Sequence, residues 1–256
     1  MIPFFRKIRK KMADDHRPLK YMRYAVGEIV LVVIGILIAL SINNWNEDRI
    51  DRNLERKYLE SIRRELDINI RTALLLKMYN DFQIQNGEVI LDCLDNNYIQ
   101  DQTEFAVAIA HLGYQIPVNY LKNVWNELYA TGNIGIIQND SIKNNLVELY
   151  LDMNDVLSHE EQEWSKYNFG YRRLVGDVLP PRLSIEVAQN LSPIKYTGEP
   201  IKLENSQEII KKLSKLNGIN GYLVDIITTR KVSSEIYISR QIVLMKKINR
   251  MIDEEL

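Results

Sequence analysis

The chain has 256 residues, 46% of them hydrophobic and 26% charged, the balance of an ordinary globular protein with room for one large core. Its 33 Lys and Arg against 34 Asp and Glu leave a net charge of −1, which argues against a general nucleic-acid binder. The single cysteine, Cys93, excludes an intrachain disulfide, and eleven glycines and seven prolines are too few for a turn-rich all-β fold or a disordered chain.

The charge is unevenly spread. Residues 1–23 hold eight basic and two acidic side chains, a net of +6, whereas residues 43–256 carry −6. Within this basic head Ile2, Phe5, Ile8 and Met12 have helical spacing, which suits a short helix lying on a lipid surface. Tyr24 to Ile42 follows, 19 residues with Glu28 as the one charge. As a helix it would cover about 28 Å, close to the ~30 Å of bilayer hydrocarbon. Tyr21 and Tyr24 at one end and Trp45 past the other stand where aromatic rings prefer the membrane interfaces. Basic residues beside a span stay on the cytoplasmic side. The expectation is therefore a bacterial inner-membrane protein, single-pass, with a cytoplasmic head (1–23), a transmembrane helix (24–42) and a periplasmic domain (43–256). A cleaved signal peptide is the rival reading, since Ala39-Leu40-Ser41 resembles a cleavage site. The long basic head and long apolar stretch speak against it.

The run AVGEIVLVVIGILIALSINNWNEDR, preceded by FFRKIRKKM, resembles the signature of a family of single-pass bacterial membrane proteins found mainly in Bacteroidota. Val124 to Tyr150 is more loosely similar to that family's mid-chain helix–turn–helix. The family is known only as a domain of unknown function. The resemblance therefore implies a topology, and no activity, cofactor or catalytic residue.

Within the membrane helix, Gly35 and Ala39 lie seven and eleven residues past Glu28, which puts all three within about 20° of one line. A small-x-x-x-small pair lets helices approach closely, and a carboxyl group inside the apolar segment usually faces protein. This face is a candidate for association with itself or with another membrane protein. Snorkelling of Glu28 to the nearby interface and chance placement of small residues are the competing explanations.

From Asn46 onward apolar residues recur at Ile50, Leu54, Tyr58, Ile62, Leu66 and Ile70 between Glu and Arg, which predicts a stalk-like helix to about Asn80. A further helix over Phe82–Asp95 follows directly or after a kink near Gly87. A turn is expected at Asn96-Asn97, then a short apolar helix over Thr103–Tyr114 with a Thr cap, ended by Pro117. Asn119–Thr131 reads as a helix closed by a left-handed Gly132. Asn139-Asp140-Ser141 begins a long helix whose stripe (Ile142, Leu146, Leu149, Met153) slips by one toward Leu157 and Tyr171, and Pro180-Pro181 stops it. Residues 180–205 hold four of the seven prolines and predict a connection with one strand pair at RLSIEV and PIKYT. Ser206 is expected to cap a helix to about Leu216. After a turn at 217–221, a last helix runs from Tyr222 to about Asp253, with Val224, Ile227, Ile238, Ile242, Met245, Ile248 and Ile252 on one side. The fold class is all-α, an antiparallel helical bundle around one core, with no internal repeat.

No chemistry-bearing motif stands out. His111 sits among apolar neighbours and reads as a core histidine, and Cys93 between Leu91 and Leu94 as a buried thiol. His159-Glu160-Glu161 lacks the second histidine of a zinc helix. No nucleophile elbow, phosphate loop or calcium loop is present, so no cofactor or metal is expected. Trp125, Asn126, Tyr129, Gly132 and Asn133 form the best candidate for a ligand or partner surface. An aromatic pair locking two helices is the plainer explanation. The sequence favours a non-enzymatic, membrane-anchored interaction or scaffold module, with the lipid bilayer as its partner and self-association or another membrane or periplasmic protein beside it. A periplasmic ligand-binding sensor, or an accessory subunit signalling through a partner, is the alternative.

Overall fold

The computed structural model describes residues 18–116, 119–159, 165–180, 182–192 and 194–256. Outside these fall most of the basic head with His16, and Pro117, Pro181, Pro193, Glu160, Glu161, Glu163 and Trp164. The chain is all-α: α1 (Pro18–Asn96), α2 (Gln102–His111), α3 (Asn123–Ala130), a 3-10 turn (Asn133–Ile136), α4 (Asp140–His159), α5 (Ser165–Gly176), α6 (Leu183–Asn190), α7 (Ser206–Leu213), α8 (Ile219–Val232), a π-helical segment (Ser233–Ile238) and α9 (Ser239–Glu255). Among the described residues one antiparallel strand pair, β1 (Leu191–Ser192) with β2 (Lys195–Tyr196), joins Leu191 to Tyr196.

The chain divides into two units, residues 1–57 and 58–256. The first holds the apolar stretch of α1, whose side chains stand exposed: Ile29 64%, Leu31 67%, Ile42 61%. It is the one described helix long and apolar enough to cross a membrane. The second unit is the helical body. There α1 runs past Asn80 and Gly87 without a break. Gly87 serves packing, because a Cβ there would lie 2.6 Å from Ile227 Cγ1. The helix ends at Asn97, which takes a left-handed conformation with φ 49°.

Among the described residues the body has two apolar cores where one was expected. Leu59, Ile62, Leu66 and Leu76 of α1 join Leu128 of α3, Leu146 and Met153 of α4, and Met245 and Ile252 of α9. Ile90 of α1 joins Phe105 and Ile109 of α2, Tyr171 of α5, Val187 of α6, Ile210 of α7 and Leu223 of α8. The stripe that slips between α4 and α5 therefore passes from one core to the other: Leu149 and Met153 are buried in the first and Tyr171 and Val175 in the second.

Several local expectations change. Asp101, and not Thr103, caps α2, its carboxylate accepting from the N–H groups of Thr103 and Glu104. The RLSIEV stretch is helical, because Leu183 and Val187 one turn apart both bury, and α6 packs on α2. Ser206 is the first residue of α7, preceded by Asn205 in a left-handed conformation with no side-chain cap. The last helix starts at Ile219 after a left-handed Gly218, and its π-helical segment was not foreseen. Val224 faces solvent, at 51% exposure.

Side chains of α1 set where α3 begins. The Asn69 side chain donates to the Leu121 carbonyl at 2.9 Å and accepts from the Leu121 N–H at 2.7 Å. That holds residues 119–122 in non-helical form, so α3 starts four residues later than its sequence suggests. Lys122 at the cap position makes no side-chain cap bond. Glu65, across from it, accepts from the Val124 N–H at 3.1 Å and supplies the missing acceptor.

Candidate functional site

The candidate surface on α3 comes apart in three dimensions. Trp125 turns inward and stacks on Tyr150, centroids 4.7 Å apart and planes 12° from parallel. Tyr150 in turn donates to Glu65 at 3.1 Å, and its hydroxyl pKa is raised by burial first and by Glu65 second. Asn126 is exposed and Tyr129 is 74% exposed. Gly132 takes φ 71°, as expected for a helix end, and Asn133 opens the 3-10 turn. The aromatic lock exists, but its pair is Trp125 with Tyr150. Tyr129 remains as a surface ring.

On the membrane helix, Gly35 and Ala39 are exposed and Glu28 is half-exposed. A Cβ added at Gly35 meets open space. A groove on this helix is lined by Ile34, Leu37, Ile38 and Trp45, on one helix alone. A polar depression of about 430 Å³ lies in the body, formed by Leu94 and Asp95 with the turn Ser214–Gly221. Among the described residues no cluster of three or more His, Cys, Asp or Glu is placed to hold a metal ion. Cys93 is buried, and burial raises its thiol pKa.

The most structured polar site was marked in the sequence by His111 alone. Along α1 the buried stripe turns polar at Tyr79, Asn80, Gln83 and Asn86, between Leu76 of one core and Ile90 of the other. Along α8 and the π-helical segment the same change occurs at Arg230, Ser233 and Ser234. The two bands meet. Arg230 donates to Asn80 Oδ1 at 2.9 Å and to the Tyr114 carbonyl at 3.3 Å. Asn80 donates to Ser233, Lys77 donates to the Ser234 hydroxyl, and that hydroxyl donates to Asp81. A buried network whose members are mutually bonded specifies one packing of its helices, since any slip strands several polar groups at once.

His111 ends α2 beside this network. Its ring lies edge-on to Tyr79 at 5.8 Å, tilted to Phe82 at 5.6 Å and stacked on Tyr114 at 5.4 Å. The Arg172 guanidinium stands 3.8 Å over the Tyr114 ring. Burial, then Arg172 and Arg230, pull the His111 pKa from 6.5 down to about 4. Burial likewise pushes the Tyr79 hydroxyl up to about 12. His111 is thus neutral at pH 7, a half-buried and bonded histidine where a core one was expected. Asn80, Gln83 and Arg230 escaped sequence reasoning because each sits in a stretch whose polar residues otherwise face solvent. Their only signal is a polar residue at an expected buried position of the helical stripe.

A family model described as "Family of unknown function (DUF6090)" matches residues 28–101, from the apolar segment of α1 to the cap of α2. Val124–Tyr150 lies outside that match. No curated protein and no solved structure matches the chain.

Proposed function

We propose that this chain is a single-pass protein of the bacterial inner membrane, with a cytoplasmic N-terminus and a periplasmic helical body that works as a non-enzymatic interaction or scaffold module. The carrying observation is the contrast within α1. Twelve large apolar side chains from Val26 to Ile42 are exposed, whereas Leu59, Ile62 and Leu66 further along are at most 1% exposed. At about 1 kcal/mol for each half-exposed side chain, leaving that segment in water costs on the order of 12 kcal/mol. This equals the whole stability of a typical domain, about 5–15 kcal/mol. A bilayer removes the cost. The +6 head favours the cytoplasmic side for the N-terminus. The match to a family of unknown function covers residues 28–101, most of this segment and the part of α1 that follows it.

Anchorage is tested by alkaline carbonate extraction of membranes from a bacterium expressing the full chain. The chain is expected in the pellet, and Leu31→Lys with Ile34→Lys and Leu37→Lys should release it. A wild-type chain found in the supernatant contradicts the proposal. The scaffold role is tested by crosslinking in native membranes from a photoreactive residue at Tyr129. A discrete adduct with one protein supports it, and monomer alone at several exposed body positions refutes it.

A further inference from the structure

We propose that Gln83 and His111 form a proton-operated latch on the turn that closes α2. The hydrogen bonds fix the direction of the latch. Gly113, at φ 83°, points its backbone N–H at Gln83 Oε1, 3.2 Å away. An N–H needs an acceptor, so the amide oxygen faces Gly113 and the amide nitrogen faces the other way. That nitrogen lies 3.0 Å from His111 Nδ1, 3.4 Å from the His111 carbonyl and 3.1 Å from the Tyr79 hydroxyl. Nδ1 must therefore accept, and the ring proton resides on Nε2.

A proton added to Nδ1 turns acceptor into donor and sets N–H against the Gln83 amide N–H. Rotating the amide to suit the imidazolium strands the Gly113 N–H, because Gln83 is fully buried. Neither amide orientation satisfies both partners, so the protonated ring must leave Gln83. None of the titratable and charged groups facing the ring is a carboxylate that could take the new N–H. They are Tyr79 from α1, Tyr114 from the turn, Arg172 from α5 and Arg230 from α8, two phenols and two cations. The turn His111–Ile116 also carries the Tyr114 ring under Arg172 and the Tyr114 carbonyl bonded to Arg230. Release of His111 thus loosens α2 from α1, α5 and α8 at the polar band where the two cores adjoin. The trigger is acidification of the compartment that holds the body. The low pKa, about 4, fits a latch that stays shut at neutral pH and opens only in acid.

The test uses the full chain in lipid nanodiscs with ¹⁵N-labelled histidine, only three of which occur in the sequence. Wild-type His111 should show the Nε2–H tautomer at pH 7 and a titration midpoint near 4. Rate-corrected amide exchange of His111–Ile116 should accelerate over the same interval. His111→Asn keeps an acceptor near the Nδ1 position and does not titrate there, so its exchange should stay slow. Gln83→Glu gives imidazolium an acceptor while still serving Gly113, and should raise the His111 midpoint above 6.5. The proposal is overturned by an Nδ1–H tautomer at neutral pH, by parallel loss of protection in wild type and His111→Asn, or by an unmoved midpoint in Gln83→Glu. The last readout stands even where His111→Asn folds poorly.

Discussion

Removing the Glu65 carboxyl group tests whether α3 is held from α1. Glu65 is 5% exposed and accepts two bonds of 3.1 Å, from the Val124 N–H and the Tyr150 hydroxyl. In Glu65→Ala the first turn of α3 loses its remote cap, worth about 1 kcal/mol. The buried Tyr150 hydroxyl is left without its acceptor, at about 1–2 kcal/mol more. The expected loss is about 2–3 kcal/mol, or roughly 4–12 °C in melting temperature for a body of this size. Glu65→Gln keeps one acceptor, and the phenol rotates to receive the amide, so about 1 kcal/mol is expected. Tyr150→Phe combined with Glu65→Ala should cost about 1–2 kcal/mol less than the sum of the single changes, because the stranded donor is gone. The assay is urea and thermal unfolding of the full chain in detergent micelles, followed by circular dichroism. Additive single costs, or Glu65→Ala within about 0.5 kcal/mol of wild type, refute the remote cap.

Other expectations are equally specific. His111 has a folded pKa of about 4 against an unfolded 6.5, so the unfolded chain binds the extra proton first. Its contribution is whole above pH 6.5 and declines as pH falls toward 4, by about 2 kcal/mol after discounting for partial exposure; His111→Asn should flatten that part of the stability–pH curve. A Cβ on Gly170 would overlap the Tyr222 ring, so Gly170→Ala should lose about 1–3 kcal/mol of unfolding free energy. Gly221, inside α8 with open space around it, should gain about 0.5–1 kcal/mol as Gly221→Ala. In a membrane two-hybrid assay Gly35→Leu should weaken helix association and Val33→Leu should not; equal effects leave the segment a plain anchor.

The helices were legible where one face is apolar and the other charged. Ile142, Leu146, Leu149 and Met153 are all buried at their helical spacing, and Gly132 takes the left-handed turn its position demands. What the sequence concealed is tertiary. The late start of α3 depends on Asn69 and Glu65, which lie more than fifty residues upstream and read as surface polar residues of a charged helix. The π-helical segment has no composition of its own and is stabilised by Lys77 and Asn80 from α1. RLSIEV alternates like a strand, yet Leu183 and Val187 have a core to enter only as a helix. The single core divides in two because Asn80, Gln83 and Asn86 interrupt the apolar stripe of α1, and Arg230, the partner of Asn80, lies 150 residues away. Of the candidate α3 surface, Trp125 was recognised as special without its partner Tyr150, again a contact that spacing along the chain does not encode.

Placing the body relative to the membrane is the most direct test of the central claim. Single cysteines at Lys10 and at the half-exposed Ser184, in a chain whose buried Cys93 is replaced by Ala, are treated with a membrane-impermeant maleimide in cells of a two-membrane bacterium. With the outer membrane opened and the inner membrane intact, the cysteine at Ser184 should be labelled and the one at Lys10 should react only after lysis. Labelling at Lys10 with protection at Ser184 would invert the topology and contradict a periplasmic scaffold.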